Sequence, residues 1–413
     1  MKPSDRPGLR HLKASDLRAG VQLATQATTG IIGITEGVHQ AVLRSTGGRA
    51  AKLPGRTAGI TGFVYRSVRA TTQLVGWGLE RALARLVPVP GSEALAADSP
   101  EREAVLSALN GVLGDHLVAT DNALALPMQL RWQGLPLNVA APVLLPGAAS
   151  GHVVVLVHGL CMNDRQWAHQ GHDHGAVLAQ ALGATPLYLR YNSGLHVSDN
   201  GAQLADLLQA LVTHWPVPLH TLSLVGHSMG GLVSRSAHHA AMQAGHTWPA
   251  HLKHLACLGT PHHGAPLERA GAWVDEVLAH TPWVSRFSGP FARLGEVRSA
   301  GITDLRHGDL LASDWQGRER LRRRADSRTP VPLPDGVACF TVAATLAAQR
   351  GLLAERLTGD GLVPLDSALG QHRDPRRKLA FGPNHQLVLH RTGHLDLLGS
   401  PVVGRQLVAW LGA

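Results

Sequence analysis

Charged residues, aromatic residues and cysteines are all scarce in this chain of 413 residues. Charged side chains make up 16% of it, below the usual quarter, and aromatic side chains only 4%. The three cysteines, at positions 161, 257 and 339, are too few and too far apart for a disulfide framework, which favours a reducing compartment. No run of about 18 apolar residues occurs, and the N-terminus lacks the apolar segment of a signal peptide. We therefore expect a cytoplasmic protein without a membrane-spanning helix.

Positive charge is concentrated at one end of the chain. Residues 1–100 hold 13 Lys and Arg against 6 Asp and Glu, whereas the rest is almost neutral. Residues from about 15 to 88 alternate apolar and basic positions at helical spacing, which predicts a helical N-terminal extension over residues 1–100. It would pack as a cap on the main domain or lie on an anionic membrane surface at the inner face. No nucleic-acid motif accompanies the charge, so nucleic acid is not an expected partner.

The main domain, residues 101–413, changes at residue 152 to alternating strands and helices. Six apolar runs of strand length predict buried parallel strands: 152–159, 186–192, 220–226, 254–259, 338–345 and 385–390. Such alternation is typical of an α/β fold with a doubly wound, mostly parallel sheet. A hairpin is expected before it, near residues 125–138, and a closing helix at 401–411. Nearly 80 residues separate the fourth and fifth strands, so we expect a helical lid insertion at about 262–335.

The clearest chemical motif is Gly226-His227-Ser228-Met229-Gly230, which lies between a predicted strand and a predicted helix. A tight strand-to-helix turn exposes the serine hydroxyl, and the flanking glycines allow the two elements to approach closely. The N-terminus of the helix also directs backbone N–H groups toward any oxyanion formed at the turn. The motif predicts Ser228 as a nucleophile, with a plain structural turn as the alternative.

A serine nucleophile needs a base, and the base needs an acid that orients it. His394, in a loop after the last strand, is the expected base, ahead of candidates on or near that strand: His372, His385 and His390. Asp360 is the expected acid because glycines on both sides allow a sharp loop. Asp366 is the second choice, and Asp304 and Asp335 are further candidates.

Two backbone N–H groups are needed to hold an oxyanion. Met229 follows the nucleophile and supplies the first, and Leu160, after the strand that ends in His158-Gly159, is expected to supply the second, with Cys161 as the alternative. We expect Cys161 otherwise to pack in the core, since nothing beside it indicates a reactive thiolate.

The 25 histidines require a test for metal binding. A group at His169, His172, Asp173 and His174 has no standard zinc spacing and is interpreted as solvated or capping residues. His262 and His263 are expected to shape the mouth of the substrate pocket. We predict no metal and no cofactor.

These segments together resemble the bacterial lipase and PGAP1-like esterase branch of the α/β-hydrolase superfamily. The similarity rests on VHGLCMNDRQW, RYNSGLHVSDNG, LVGHSMGGLVSRSA, LGTPHHGAPLER, GDGLVPLDSALG and GHLDLL, in that order, and covers roughly residues 150–410. It implies an α/β-hydrolase fold and a carboxylic-ester hydrolase with Ser228, Asp360 and His394 as its triad, acting through an acyl-enzyme on acyl-lipid-like esters. An acyltransferase with the same triad, or a catalytically idle membrane-associated binding module, stays open as an alternative.

Overall fold

The computed structural model describes residues 100–145, 147, 149–265, 299–318, 326–348 and 359–413. Two compact units are distinguished, of which the larger comprises residues 103–116 and 125–413. Residues 1–99 of the predicted N-terminal extension lie outside the described residues. In the smaller unit, the Asn122 N–H donates to Leu117 O and the Asn122 side chain accepts from the Leu124 N–H.

Eight strands form one sheet in the order β10-β9-β8-β7-β3-β6-β1-β2. The strands of this sheet are β1 (Gln129–Trp132), β2 (Leu135–Pro136), β3 (His152–Val157), β6 (Thr185–Arg190), β7 (Thr221–His227), β8 (Leu252–Leu258), β9 (Ala338–Thr345) and β10 (Gln386–His390). The six from β3 onward pair in parallel, which confirms the predicted doubly wound, mostly parallel sheet. The predicted hairpin is also confirmed, because β1 pairs antiparallel with both β2 and β6. A separate two-stranded ribbon contains β4 (Ala168–His169) and β5 (His172–Asp173).

Helices follow most of the strands. They are α1 (Pro100–Ala119), α2 (His174–Leu182), α3 (Val197–His214), α4 (Met229–Ala244), α5 (Ala300–His307), α6 (Ala312–Trp315), α7 (Leu365–Ala368), α8 (Asp396–Gly399) and α9 (Pro401–Leu411). Short 3₁₀ turns connect some of them, including Asp164–Trp167 after β3. Helices α5 and α6 lie within the predicted lid region, of which residues 266–298 and 319–325 are outside the described residues. None of the helices in the described part has the length and hydropathy needed to cross a bilayer.

The core is built on the central strands. Residues 153–157 of β3 are completely buried, as are Leu224 and Val225 of β7, and the facing sides of α3 and α4 cover them. A continuous apolar strand of this kind is expected where helices cover both faces of a parallel sheet. Because β3, β7, β8, β9 and β10 are parallel, their carboxyl ends lie at one edge of the sheet. The loops that carry the predicted site residues begin at this edge.

The first turn of α3 is capped from outside the helix. Its local sequence offers Ser198 or Asp199 as a cap, but the helix starts at Val197 and no side chain of its own first turn caps it. Asp304, from α5, instead accepts the Val197 N–H at 2.8 Å. The cap is thus supplied from a distant part of the chain, which a local pattern does not reveal.

Candidate active site

Ser228 lies at the turn between β7 and α4. Its backbone has φ 56° and ψ −122°, a region that costs a non-glycine residue of order 1–3 kcal/mol. The turn is held by the Ser228 N–H, which donates to Leu258 O at 2.7 Å. The two motif glycines allow it: a Cβ on Gly226 would lie 2.4 Å from Gly231 N, and one on Gly230 would lie 2.0 Å from Val157 O. The strain at Ser228 is therefore held by close packing on both sides.

Asp360 and His394 form a buried pair. His394 Nδ1 lies 2.7 Å from Asp360 Oδ2, and each side chain is 1% exposed. The second oxygen, Asp360 Oδ1, accepts the N–H groups of Leu362 and Val363 at 3.0 and 2.8 Å. Because the carboxylate accepts the Nδ1 proton, the neutral imidazole has its lone pair on Nε2. This is the tautomer that a general base requires.

The loop that carries His394 packs beside the Ser228 turn. The Nε2 of His227, the residue before the serine, lies 3.2 Å from His394 O, and the two rings are 4.7 Å apart. A Cβ on Gly259, which follows the Leu258 that accepts from Ser228, would lie 3.1 Å from His394 Cε1. The structure thus brings the loops of Ser228, Asp360 and His394 together. His227 was not predicted to contact this loop, although its place inside the motif around Ser228 was a usable signal.

The loop after β3 supplies the candidate second oxyanion donor. A Cβ on Gly159 would lie 3.0 Å from Ser228 Cβ, which places this loop against the nucleophile. Cys161 has φ 61° and its N–H donates to Ser193 Oγ at 3.0 Å, so this N–H is already in use. Leu160 therefore stays the better candidate, together with Met229 at the first position of α4.

The other candidate acids contact other residues or are exposed to solvent. Asp304 faces His196, with both carboxylate oxygens 3.0 Å from its Nδ1, and Asp335 is exposed. Asp366 lies in the first turn of α7, and the His394 contact is made by Asp360 instead. Burial raises the pKa of Asp304.

The other candidate bases also have separate surroundings. His372 Nε2 lies 3.3 Å from Asp326, and His385 Nδ1 lies 3.2 Å from Cys339 O. His390 is the last residue of β10.

A buried ionic cluster supports the loop after β3. The carboxylates of Glu103 and Asp164 lie between the guanidinium groups of Arg131 and Arg190, and Arg165 also contacts Glu103. The Arg190–Glu103 and Arg190–Asp164 contacts are both 2.5 Å. Removing one member of such a cluster leaves a buried charge without compensation. The cluster therefore joins α1, β1 and β6 to the 3₁₀ turn Asp164–Trp167, which follows the loop after β3.

The histidine group near residue 172 differs from its interpretation as solvated. His174 is completely buried, with Nε2 2.9 Å from Leu397 O and Nδ1 3.0 Å from His172 Nε2. Asp173 caps α2 by accepting the Ala176 N–H, as a capping residue would. The solvated interpretation is wrong for His174 because its partner lies 223 residues later in the chain.

The three cysteines are buried, and neither they nor other residues of the described ranges form a metal site. Burial raises the pKa of Cys161, Cys257 and Cys339 to about 12, so none of them is a thiolate at neutral pH. Within the described ranges, no group of three or more His, Cys, Asp or Glu is arranged to hold a metal ion.

One part of the chain is similar to a known protein family. Residues 148–331, less than half of the chain, match the family described as "PGAP1-like alpha/beta domain". This segment contains Ser228 and Leu160, whereas Asp360 and His394 follow its end. The eight-stranded, mostly parallel sheet with its flanking helices is the α/β architecture that the sequence predicted.

Solved structures that are similar to this chain include lipases and an esterase. The mature form of Bacillus licheniformis lipase BlEst2 is 20% identical, with a TM-score of 0.40, over 69% of this chain and 98% of that one. Aspergillus fumigatus lipase B is 12% identical, with a TM-score of 0.40, over 70% and 60%. Pyrococcus furiosus esterase Pf2001 is 15% identical, with a TM-score of 0.34, over 64% and 85%. No curated protein sequence matches the chain significantly.

Proposed function

We propose that this chain is a serine carboxylic-ester hydrolase of the esterase or lipase class. The observation that carries the proposal is the buried Asp360–His394 pair at 2.7 Å, packed beside a serine held at φ 56°. A structural turn alone would not need the strain at Ser228 or a histidine oriented by a carboxylate. The PGAP1-like segment supports hydrolase chemistry in general, and the triad is our own assignment.

In the first half of the reaction, Ser228 Oγ attacks the ester carbonyl carbon. His394 Nε2 takes the hydroxyl proton as the new C–O bond forms, and Asp360 stabilises the resulting imidazolium. The carbonyl oxygen becomes an oxyanion, which we assign to the Leu160 and Met229 N–H groups. Losing one such donor costs about 10²–10³ in turnover. His394 then gives its proton to the leaving alcohol, and an acyl-enzyme remains.

In the second half, water takes the place of the alcohol. His394 accepts a proton from water as its oxygen attacks the acyl carbon, and returns it to Ser228 Oγ as the carboxylic acid leaves. Every step uses protein groups, and the proposal needs no organic cofactor. If an alcohol or thiol replaced water here, the same groups would carry out acyl transfer.

The substrate class and the location are part of the proposal. The predicted lid at about 262–335 contains large aromatic residues, including Trp273, Trp283, Phe287 and Phe291, which supports acyl-lipid-like esters as substrates. The basic residues within 1–100 support peripheral contact with an anionic membrane surface. Both rest on sequence, since residues 1–99 and 266–298 lie outside the described part of the chain.

The test is hydrolysis of p-nitrophenyl esters with acyl chains of two to sixteen carbons. Wild type is compared with Ser228→Ala and with Ser107→Ala, a matched loss of a buried hydroxyl that donates only within α1, to Glu103 O at 2.8 Å. We expect hydrolysis to disappear in S228A and to persist in S107A. Equal activity of S228A and wild type would refute the assignment of the nucleophile. Ester products formed in the presence of an added alcohol would indicate a transferase, and no turnover of any acyl chain would favour an idle binding module.

A further inference from the structure

A second polar pocket lies away from the triad, on the side of α4 that faces the loop after β8. It is a small pocket that is partly open to solvent. Its polar lining includes Arg235, His262, His263, Asp314, Arg328 and Arg377. His262 and His263, which the sequence predicts at the mouth of the substrate pocket, both line this pocket.

Arg235 is a buried cation that contacts no acidic side chain in the described part of the chain. It is 3% exposed, and among the described residues its guanidinium contacts the Val331 carbonyl and His262 Nδ1, with no carboxylate and no partner for its Nε. Burial lowers the pKa of Arg235 to about 10, so the group is still charged at pH 7. A buried charge that lacks a counterion is costly, and such groups are normally paired.

His262 adds a second unused donor to the same pocket. Arg235 Nη1 donates to His262 Nδ1 at 3.3 Å, so Nδ1 is the acceptor and the ring proton is on Nε2. That Nε2 is buried and has no hydrogen-bond partner among the described residues. Burial and the adjacent Arg235 hold the pKa of His262 well below its ordinary value, so the ring stays neutral. The two unsatisfied groups, Arg235 Nε–H and His262 Nε2–H, are therefore both donors.

The acidic residues of the pocket are already engaged. Asp326 lies 2.7 Å from Arg328 and 3.4 Å from Arg377, and it also contacts His372. Asp314 accepts three backbone N–H groups, from residues 310, 311 and 329. Arg328 and Arg377 therefore share the Asp326 carboxylate, and Arg377 also lies 3.8 Å from Asp374. Arg235 contacts none of these carboxylates.

We propose that this pocket binds a small oxyanion of the phosphate type. Planar guanidinium groups and an imidazole N–H match the acceptor oxygens of such an anion, and its negative charge would neutralise Arg235. A water molecule is neutral and would leave the charge of Arg235 uncompensated. The chemistry is that of a phosphate group, whether it comes from free phosphate or from a phosphoester.

The pocket is separate from the proposed catalytic groups but structurally linked to them. Arg235 follows Ser228 by seven residues, which is about 10 Å along α4. The loop from Gly259, beside His394, leads directly to His262. The proposed anion would stabilise this loop and α4, and its binding does not depend on the hydrolase assignment.

The experiment measures phosphate binding by the full chain. Calorimetric titration with inorganic phosphate gives the Kd, and the melting temperature is compared in phosphate and in sodium chloride of equal ionic strength. We expect one saturable site and a rise in Tm of about 4 °C or more near saturation, with chloride giving less. Glycerol 3-phosphate is titrated in parallel: tighter binding than inorganic phosphate would identify a phosphoester as the source, and weaker binding would identify the free ion.

Three substitutions locate the site. Arg235→Met should abolish the phosphate response, and Arg377→Gln, at a less buried position, should weaken binding at least tenfold and covers the case in which R235M does not fold. Arg405→Gln, an exposed position on α9, removes the same charge and should behave like wild type. The proposal is overturned if phosphate and chloride affect wild type equally. It is also overturned if R377Q binds phosphate as tightly as wild type or if R405Q loses binding to the same extent.

Discussion

Replacing Asp360 by Asn tests the proposed triad, because both oxygens of the Asp360 carboxylate have defined hydrogen-bond partners. Asp360 Oδ1 accepts two backbone N–H groups, so the carbonyl oxygen of an asparagine would occupy that side. Its NH₂ group would then take the place of Oδ2 and face His394 Nδ1. An NH₂ group can only donate there, so Nδ1 must lose its proton and Nε2 must carry it. A protonated Nε2 cannot accept the Ser228 proton.

The expected loss follows from this change of tautomer. Where an asparagine replaces the acid of a serine triad without moving it, kcat falls by about 10⁴. We therefore expect kcat/KM of D360N to fall by about 10³–10⁴, equivalent to about 4–5.5 kcal/mol of transition-state stabilisation. The two backbone hydrogen bonds are kept, so the fold should survive. The loss of stability should stay near the value of one charge-assisted hydrogen bond, about 1.5–3 kcal/mol.

The assay is kcat/KM on the best p-nitrophenyl ester, with urea unfolding measured on the same preparations. Asp366→Asn is the matched control, since it is the same change six residues later and Asp366 does not contact His394 through a hydrogen bond. D366N should keep activity within about threefold of wild type. If D360N retains activity within tenfold of wild type, or if D366N is the inactive variant, the reasoning about Asp360 is refuted.

Three further predictions concern the surroundings of the site. Ser193→Ala removes the acceptor of the Cys161 N–H, so the oxyanion loop loses an anchor and kcat should fall about tenfold with little change in KM. Glu103→Gln leaves Arg190 with less compensation in the buried cluster, and urea unfolding should show a loss of about 3–5 kcal/mol. Burial lowers the pKa of His174 to about 4, so the folded state resists protonation and stability should decline as pH falls from about 6.5 toward 4. The Tm difference between pH 7 and pH 4.5 should be smaller in His174→Gln than in wild type.

Each of these three predictions has an outcome that would contradict it. Unchanged turnover in S193A would mean that the Cys161 anchor does not position the oxyanion donor. For E103Q the control is Asp206→Asn at an exposed carboxylate, which should change stability by less than about 0.5 kcal/mol. Equal losses in both variants would contradict the special role of the buried cluster. An unchanged acid sensitivity in H174Q would show that this histidine does not titrate differently in the folded and unfolded states.

The sheet could be predicted because each strand is recognisable from its own run of residues. The run 338–345 was predicted as a strand and is β9 with the same bounds, and the closing helix 401–411 is α9. A continuous apolar run between turn residues predicts a strand whose two faces are both covered. The motif around Ser228 was equally local, since a strand, a glycine-flanked serine and a helix follow one another directly.

Features that depend on distant partners were not predictable. The cap of α3 comes from Asp304, 107 residues after Val197. The ring of His174 forms a hydrogen bond with the carbonyl of Leu397, 223 residues later. The pocket around Arg235 joins side chains from α4, from the loop after β8 and from residues near 328. No periodicity relates these positions, because only tertiary packing brings them together.

The histidines around His394 have a common electrostatic property that bears on the proposed mechanism. Burial holds the pKa of His227 well below its ordinary value and lowers those of His174 to about 4 and His158 to about 3. All three rings are therefore neutral at pH 7, although His227 lies only 4.7 Å from the His394 ring. A charged ring at that distance would oppose the imidazolium that forms when Ser228 loses its proton. Because these neighbours stay neutral, the positive charge that develops on His394 faces the Asp360 carboxylate without a competing cation from them.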